Sequence, residues 1–191
     1  ETASPSAPGS RFDQNLLTGC ITFVEVDFVD TDISSNGGDC EDGVNFIRAS
    51  GSVNNLMVTN TPFDAIDIDF SDLAISAVTS RNSGNDCFDA SAGDYWIGVA
   101  QVSQCGDKGL SIGEASTMTA QEVVIDKASI GIAVKDSSRV SIERLLVSDA
   151  PICASAYRKK QEFAGSHLQV EEMECSGGQV TQQAGSRIEV P

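Results

Sequence analysis

Four aspartates and a lysine recur at one fixed spacing in the middle of the chain. Asp64 and Asp67 are followed 22 residues later by Asp86 and Asp89, and Lys108 stands 22 residues after Asp86. Grouped carboxylates are ligands that calcium prefers, and a bound calcium can neutralise a substrate carboxylate and acidify the neighbouring proton. A lysine beside such a site could then remove that proton. The spacing suggests a calcium pair formed by Asp67 and Asp89.

The base in this interpretation is Lys108 or Lys135, with Asp107 and Asp136 further along the same face. A second interpretation stays open, in which these side chains form a solvated face where charges of successive repeats pair and each pair contributes little. No cluster of His, Tyr or Arg completes a lyase site, which weighs against an enzyme. We therefore assign no catalytic residue, require no cofactor, and keep calcium as a ligand of the first interpretation only. His167, the single histidine, is assigned a structural role.

The same 22-residue spacing runs through most of the chain. When segments that begin at positions 42, 64, 86, 108, 130 and 152 are aligned, the second residue is always small and the third is always apolar. The fourth residue is polar in all but one segment, and the fifth is apolar. The small column comprises Gly43, Ala65, Cys87, Gly109, Gly131 and Cys153, and the apolar column comprises Val44, Ile66, Phe88, Leu110, Ile132 and Ala154. This alternation indicates a short β-strand that returns at one register in every repeat.

Each repeat contains two further strand-like segments. One set includes NLMVTN, AVTSRN and VAQVSQ, and a weaker set includes SVNN, LAIS and YWIG. Three short strands per repeat, without the regular leucines of leucine-rich repeats, indicate an all-β fold, a right-handed parallel β-helix solenoid of about 7 coils. A polar column is then expected to form a ladder at one corner of the coil, with side-chain amides bonded to the next coil. It comprises Asn60, Asn82, Gln104, Asp126 and Ser148.

Six cysteines without a CxxC motif favour disulfides over a zinc or haem site. Partners about one coil apart would lie within the Cα distance that a disulfide requires. Buried free thiols in a cytosolic protein are the alternative. Pairing in sequence order predicts Cys20–Cys40, Cys87–Cys105 and Cys153–Cys175. These bridges predict an oxidising environment, and therefore a secreted or cell-surface location.

The chain is strongly acidic, with 28 Asp and Glu against 12 Lys and Arg and a formal net charge of −16. Such a surface repels nucleic acid and anionic membranes, and no apolar segment approaches the roughly 20 residues that cross a bilayer. We therefore expect neither a nucleic-acid partner nor membrane insertion. One basic patch, Tyr157, Arg158, Lys159 and Lys160, could bind an acidic glycan or a neighbouring subunit, or be a solvated loop.

The two ends of the chain differ from the repeats. Residues 1–19 are expected to form a leader rich in Pro and Ser that could also cap the N-terminal end, and residues 20–191 to form the β-helix domain. The segment QEFAGS, at 161–166, is expected to be an insertion, and no amphipathic capping helix follows the last strand-like segment, SRIEV. Because an uncapped solenoid exposes strand edges, we expect a longer chain or a second copy of the subunit to cover this end.

Four strings within residues 85–163, NDCFD, CGDKGLSIGEAS, IGIAVKDSS and ICASAYRKKQEF, resemble β-helix segments of secreted bacterial surface proteins. The resemblance implies the pectate-lyase-like β-helix, a fold shared by polysaccharide lyases, epimerases, tailspikes, adhesins and structural fibres, and it transfers no catalytic residue. Two hypotheses follow. The first is a disulfide-stapled structural subunit of an extracellular fibre, sheath or appendage that assembles end to end. The second is a calcium-assisted lyase, epimerase or adhesin that acts on an acidic polysaccharide.

Overall fold

The chain winds as a parallel β-solenoid in which each coil passes once through each of two sheets. A computed structural model of the protein describes residues 12–13 and 15–191, and every regular element among them is a strand. The short-strand sheet contains β1 (Gly19–Val24), β3 (Asp42–Ile47), β5 (Asp64–Asp69), β7 (Phe88–Ser91), β9 (Lys108–Gly113), β11 (Ile130–Lys135), β13 (Ile152–Tyr157) and β15 (Gln179–Gln182). The long-strand sheet contains β2 (Asp27–Asn36), β4 (Ser50–Thr61), β6 (Asp72–Ser83), β8 (Asp94–Cys105), β10 (Thr117–Asp126), β12 (Arg139–Ser148), β14 (His167–Cys175) and β16 (Arg187–Glu189).

Neighbouring strands are parallel and pair mostly at the register that the repeat predicts. Val44 pairs with Ile66, and Asp67 with Asp89, each 22 residues further along the chain. Each inward column therefore stacks like residues on one another, and no coil buries its apolar side chains alone. The predicted β-solenoid is confirmed, with eight strands in each sheet and so about eight turns where the sequence suggested about seven.

The three short strands predicted for each coil are two strands in the structure. The predicted segments YWIG and VAQVSQ are the two halves of β8, and the other coils follow the same plan. Where the two halves meet, the pairing between β6 and β8 skips the position of Ser76 opposite Gly98. A single unpaired residue interrupts the ladder without ending the strand, and a sequence pattern alone does not distinguish that interruption from a turn.

Sharp corners separate the two sheets, and left-handed backbone conformations make them. Asn60 and Asn82 have φ angles of 59° and 60° at one corner, and Phe70 has a φ of 52° at the other. Asparagine adopts this conformation more easily than most residues. The Asn82 side-chain amide also donates to Asn60 Oδ1 at 2.8 Å, and that of Asn60 to Asn36 Oδ1 at 2.7 Å. The predicted hydrogen bonding from coil to coil is therefore present at these asparagines.

The core runs along the inside of the coils. Ile66 on β5 and Ile75 on β6 are fully buried, and burying such a side chain stabilises the fold by about 1.5–3 kcal/mol. In the first coils Phe23, Phe28 and Phe46 form an aromatic cluster with ring centroids 5.1 to 5.7 Å apart. Stacking continues this core from one coil to the next, so its apolar columns extend to both terminal strands of each sheet.

All six cysteines form disulfides, in the three predicted pairs. The Cα atoms are 5.3 Å apart in Cys20–Cys40, 5.4 Å in Cys87–Cys105 and 6.0 Å in Cys153–Cys175. Disulfides of this number suggest an oxidising, extracellular environment. No helix among the described residues could span a membrane.

The predicted leader and the predicted insertion lie towards the two ends of the solenoid. Residues 1–11 and 14 of the predicted leader and cap, 1–19, lie outside the described residues, and β1 begins at Gly19. Near the other end, Arg139 pairs with His167, 28 residues later, where most coils advance by 22. These additional residues form the predicted insertion, and the solenoid resumes after it.

Candidate functional site

The conspicuous carboxylates gather on the face of the short-strand sheet that points away from the core. Asp67 and Asp89 occupy the same register position on β5 and β7, between inward apolar neighbours. Asn45 precedes them in this column and Ser111 follows them. We call the outward side of β3, β5 and β7 the acidic face. It carries Asp42, Asn45, Asp64, Asp67, Asp69 and Asp89, and we include Asp86, which lies just before β7 and bonds to Asp64.

The acidic face is buried in part, while Asp64, Asp67, Asp69 and Asp89 keep intermediate exposure. The interpretation as a solvated face whose charges pair between coils stays a prediction. Asp42, Asn45 and Asp86 are buried, and Lys135 on β11 is only 7% exposed. A buried carboxylate loses hydration that hydrogen bonds or cations must replace, and otherwise it takes up a proton. The hydrogen-bond partners and the protonation state of each carboxyl group therefore determine the charge of the acidic face.

Asp67 is the carboxyl group most strongly shifted towards its protonated form. Burial, together with the charges of Asp42, Asp69 and Asp89, raises the pKa of Asp67 to about 9. The Asn45 side-chain amide donates to Asp67 Oδ2 at 2.8 Å. On the next coil, Asp89 Oδ1 is buried without a hydrogen-bond partner among the described residues. At neutral pH Asp67 is thus a neutral acid, one strand away from this oxygen of Asp89.

Burial is the main cause of a raised pKa at four further aspartates of this face, Asp42, Asp64, Asp69 and Asp86. Burial, partly offset by a hydrogen bond from Thr18 and reinforced by the charge of Asp64, raises the pKa of Asp42 to about 7. Burial also raises the pKa of Asp64 to about 6, although the backbone N–H of Asp86 and the side chain of Asn85 donate to Asp64 Oδ1 at 2.8 and 2.7 Å. The acidic face therefore carries fewer negative charges at neutral pH than its composition implies.

Lys108 lies at the C-terminal end of this column of aspartates as an ion-pair partner. Its Nζ is 3.3 Å from Asp86 Oδ1 and also forms an ion pair with Asp107. Burial alone would lower the pKa of Lys108, but the hydrogen bond to Asp107 and the charge of Asp86 outweigh it and raise this pKa. A lysine held in its charged form is a poor proton acceptor at neutral pH.

Lys135, the other candidate base, lies deeper. Its Nζ donates to Ser111 Oγ at 2.7 Å, and both side chains are buried. Ser111 is the next residue after Asp89 in the outward column, and the Lys135 side chain reaches its hydroxyl from the following strand, β11. This arrangement places a positive charge beyond the aspartates and helps to balance them.

The proposed calcium pair of Asp67 and Asp89 stays a prediction. The two residues are brought together as neighbours across one pair of strands, about 4.8 Å apart by strand spacing. Within the described part of the chain, no group of three or more His, Cys, Asp or Glu side chains is arranged to hold a metal ion.

Acidic residues from earlier coils partly neutralise the basic patch. Lys160 forms an ion pair with Glu114, which lies 46 residues earlier. The backbone N–H groups of Lys159 and Lys160 donate to the buried carboxylate of Asp136 at 2.6 and 2.8 Å. The N–H of Arg158 donates to Gln183 Oε1 at 2.8 Å. These contacts anchor the start of the insertion to the neighbouring coils.

Tyr157 and His167 flank the insertion. Tyr157 is half-buried at the end of β13, and burial raises the pKa of its hydroxyl. His167 Nε2 lies 3.0 Å from Glu189 Oε1 on the last strand, β16. The histidine thus connects two successive coils of the long-strand sheet, and its structural role stays a prediction.

Three residues of the acidic face were not singled out from the sequence: Asp42, Asn45 and Asp69. Asp42 and Asn45 occupy the same repeat positions as Asp64 and Asp67, which were singled out. The signal was therefore available in the alignment of the repeats, but composition does not distinguish a buried column position from an exposed one.

Comparisons of the chain with protein-family models, with curated proteins and with solved structures found no match.

Proposed function

We propose that the protein is a structural component outside the cytoplasm whose β-solenoid domains join end to end. The coarser statement, a disulfide-rich β-solenoid compatible with a structural role, rests on the fold itself. The observation that carries the finer proposal is the match between the first and last coils of the described solenoid, in their apolar columns and in the charges of one outward column.

Val180 on β15 continues the column of Ala154 on β13, which is fully buried, yet Val180 is 43% exposed. Ile188 on β16 continues the column of the buried Leu168 and is itself only partly buried. Inward positions that lack a covering coil leave apolar surface and strand edges available for pairing. This end of the described solenoid is suited to receive another coil.

The first coil has the apolar residues that would suit this end. Val180 belongs to a column that begins with Ile21 on β1, and Ile188 to one that begins with Phe28 on β2. If β15 and β16 of one copy paired in register with β1 and β2 of the next, aliphatic residues would stack on apolar residues in both columns. Such a head-to-tail contact is heterologous, so it propagates unless its rotation closes a ring.

Charges along one outward column of the long-strand sheet favour the same arrangement. The N-terminal half of this column contains acidic residues and the C-terminal half basic ones. In chain order it comprises Asp27, Ser50, Asp72, Asp94, Thr117, Arg139, His167 and Arg187. In-register stacking would place Arg187 of one copy beside Asp27 of the next. Complementary charges of this kind steer and orient association.

The acidic face gives less support to a calcium-assisted lyase, epimerase or adhesin for acidic polysaccharides. Lys108 is bound in ion pairs that raise its pKa, and Lys135 is buried against Ser111. A chain with a formal charge of −16 also repels a polyanionic substrate unless cations intervene. We therefore prefer the structural proposal.

Electron microscopy of the purified, unreduced protein, together with light scattering, tests the proposal. We expect filaments with an axial repeat of about 40 Å, the length of eight coils at the strand spacing. Arg187→Asp and Asp27→Arg should each weaken assembly, and the double variant should restore it because the pair is re-formed with opposite polarity. Arg139→Asp changes the same column in an interior coil and serves as the matched control.

A monodisperse monomer at every concentration tested would refute end-to-end assembly. Filaments that form equally well with either single charge reversal would refute the in-register contact between Arg187 and Asp27.

A further inference from the structure

The single tryptophan of the chain lines an open groove on the outer side of the long-strand sheet. This groove has a volume of about 450 Å³, and the side chains of Asp72, Asp94, Trp96, Thr117 and Thr119 contribute to its walls. The volume falls within the range of about 300–1,000 Å³ that is typical of ligand sites. The groove lies on a different sheet from the acidic face and shares no residue with it.

Short neighbouring side chains leave the indole ring uncovered. Trp96 pairs with Ala74 on the preceding coil and with Thr119 on the following one. It is 42% exposed, whereas Tyr95 and Ile97 on either side of it point inward and are buried. A large aromatic side chain kept in water on a regular strand offers an apolar flat surface, and no aromatic contact covers it among the described residues.

Hydrogen-bonding groups form a second column directly beside the ring. Asp72, Asp94 and Thr117 follow one another on successive coils, about 4.8 Å apart. The Asp94 N–H donates to Asp72 Oδ1 at 3.3 Å. No other hydrogen bond or ion pair engages these two carboxylates within residues 12–13 and 15–191. They are free to accept hydrogen bonds, and threonine hydroxyls can both donate and accept.

We propose that this groove binds a neutral glycan chain. The C–H face of a sugar ring would stack on Trp96, whose ring face carries partial negative charge, while the sugar hydroxyls would donate to Asp72 and Asp94. The two carboxylates repel phosphate, sulfate and uronate groups, so the groove discriminates against nucleic acid and acidic polysaccharides. A cationic side chain would gain only about 0.5–1 kcal/mol from the ring at a site this exposed.

Because Trp96 is the only tryptophan, its fluorescence reports on this groove directly. Titration with cellohexaose, xylohexaose and chitohexaose should shift the emission for at least one of the three, and hexagalacturonate should produce no shift. Binding is then measured calorimetrically for variants that lack the fluorophore. Trp96→Ala should weaken binding about tenfold, the loss of one aromatic stacking contact. Trp96→Phe should retain most of the binding affinity, and Asp94→Asn should weaken binding as well.

Phe63→Ala is the matched control, because Phe63 is an exposed aromatic residue outside the groove, and it should leave binding unchanged. Circular dichroism establishes that each variant is folded. The proposal is overturned if none of the three neutral oligosaccharides binds, if Trp96→Ala binds as tightly as the wild type, or if hexalysine binds more tightly than every neutral glycan. Assembly into filaments bears on none of these outcomes.

Discussion

Replacing Asp67 with asparagine tests the protonated state of the acidic face. Asparagine has the shape of the protonated acid: its side-chain oxygen can accept from Asn45, and its NH₂ group can donate towards Asp89 Oδ1, which lacks a donor. It cannot ionise at any pH. We therefore expect Asp67→Asn to behave like the wild type with a permanently neutral residue at this position.

The magnitude follows from the pKa of Asp67, about 9 in the folded protein and about 3.9 in the unfolded chain. Between these values the folded protein holds a proton that the unfolded chain has released, so the free energy of unfolding falls as the pH rises. Above about pH 7, the pKa of Asp42, release of the proton from Asp67 is expected to go on lowering the free energy of unfolding. One retained proton corresponds to about 1.4 kcal/mol per pH unit, or up to about 3 kcal/mol between pH 7 and 9.

The assay is urea unfolding at pH 7, 8 and 9, followed by circular dichroism. All six cysteines are paired, so no free thiol is present to start disulfide exchange at the higher pH. The wild type should lose stability across this range, and Asp67→Asn should lose distinctly less. Glu171→Gln removes an exposed carboxylate and should follow the wild type. Parallel curves for the wild type and Asp67→Asn would show that Asp67 ionises normally, and the account of the acidic face would fail.

Three further predictions concern the solenoid. Replacing both Cys153 and Cys175 with alanine should lower the free energy of unfolding by about 3 kcal/mol in urea titrations, as expected for a loop of this length, and an unchanged midpoint would contradict it. Asn82→Ala should lower the free energy of unfolding by about 1–2 kcal/mol in thermal unfolding, because it removes an amide hydrogen bond between coils and places alanine at a positive φ. Asn82→Gly removes the same hydrogen bond but tolerates the positive φ, so it should cost less. Equal losses for the two variants would exclude the backbone contribution. Lys108→Met leaves Asp86 buried without its cation and should destabilise the fold by about 3–5 kcal/mol at pH 8. The loss should be smaller at pH 4, where Asp86 can be protonated. A loss of stability that does not depend on pH would refute this explanation.

The solenoid was predictable because its information is repeated. Each column of small or apolar residues, such as the one through Val44 and Ile66, presents the same requirement in successive coils, and chance does not keep such columns in phase. The disulfides followed because partners such as Cys87 and Cys105 lie about one coil apart. Both features depend on the period alone, and the period can be read from the sequence.

The state of the acidic face was not predictable in the same way. The period places Asp67 beside Asp89, but their burial depends on how far the corners and neighbouring side chains project over the sheet. The ion pair between Lys160 and Glu114 joins residues 46 positions apart, and Lys160 lies at the start of the insertion that breaks the repeat. Contacts made by an irregular segment have no second copy in the sequence from which to infer them.

The spacing of the disulfides sets how this protein would respond to a pulling force. Each bridge joins residues roughly one coil apart, so it encloses a single turn: Cys20–Cys40 near the first coil, Cys87–Cys105 in the middle, and Cys153–Cys175 towards the last. If tension peeled the chain away coil by coil, the enclosed turns could not add to its extended length. Stretching would stop well short of the full contour, and reduction of the bridges would release the remainder as discrete steps.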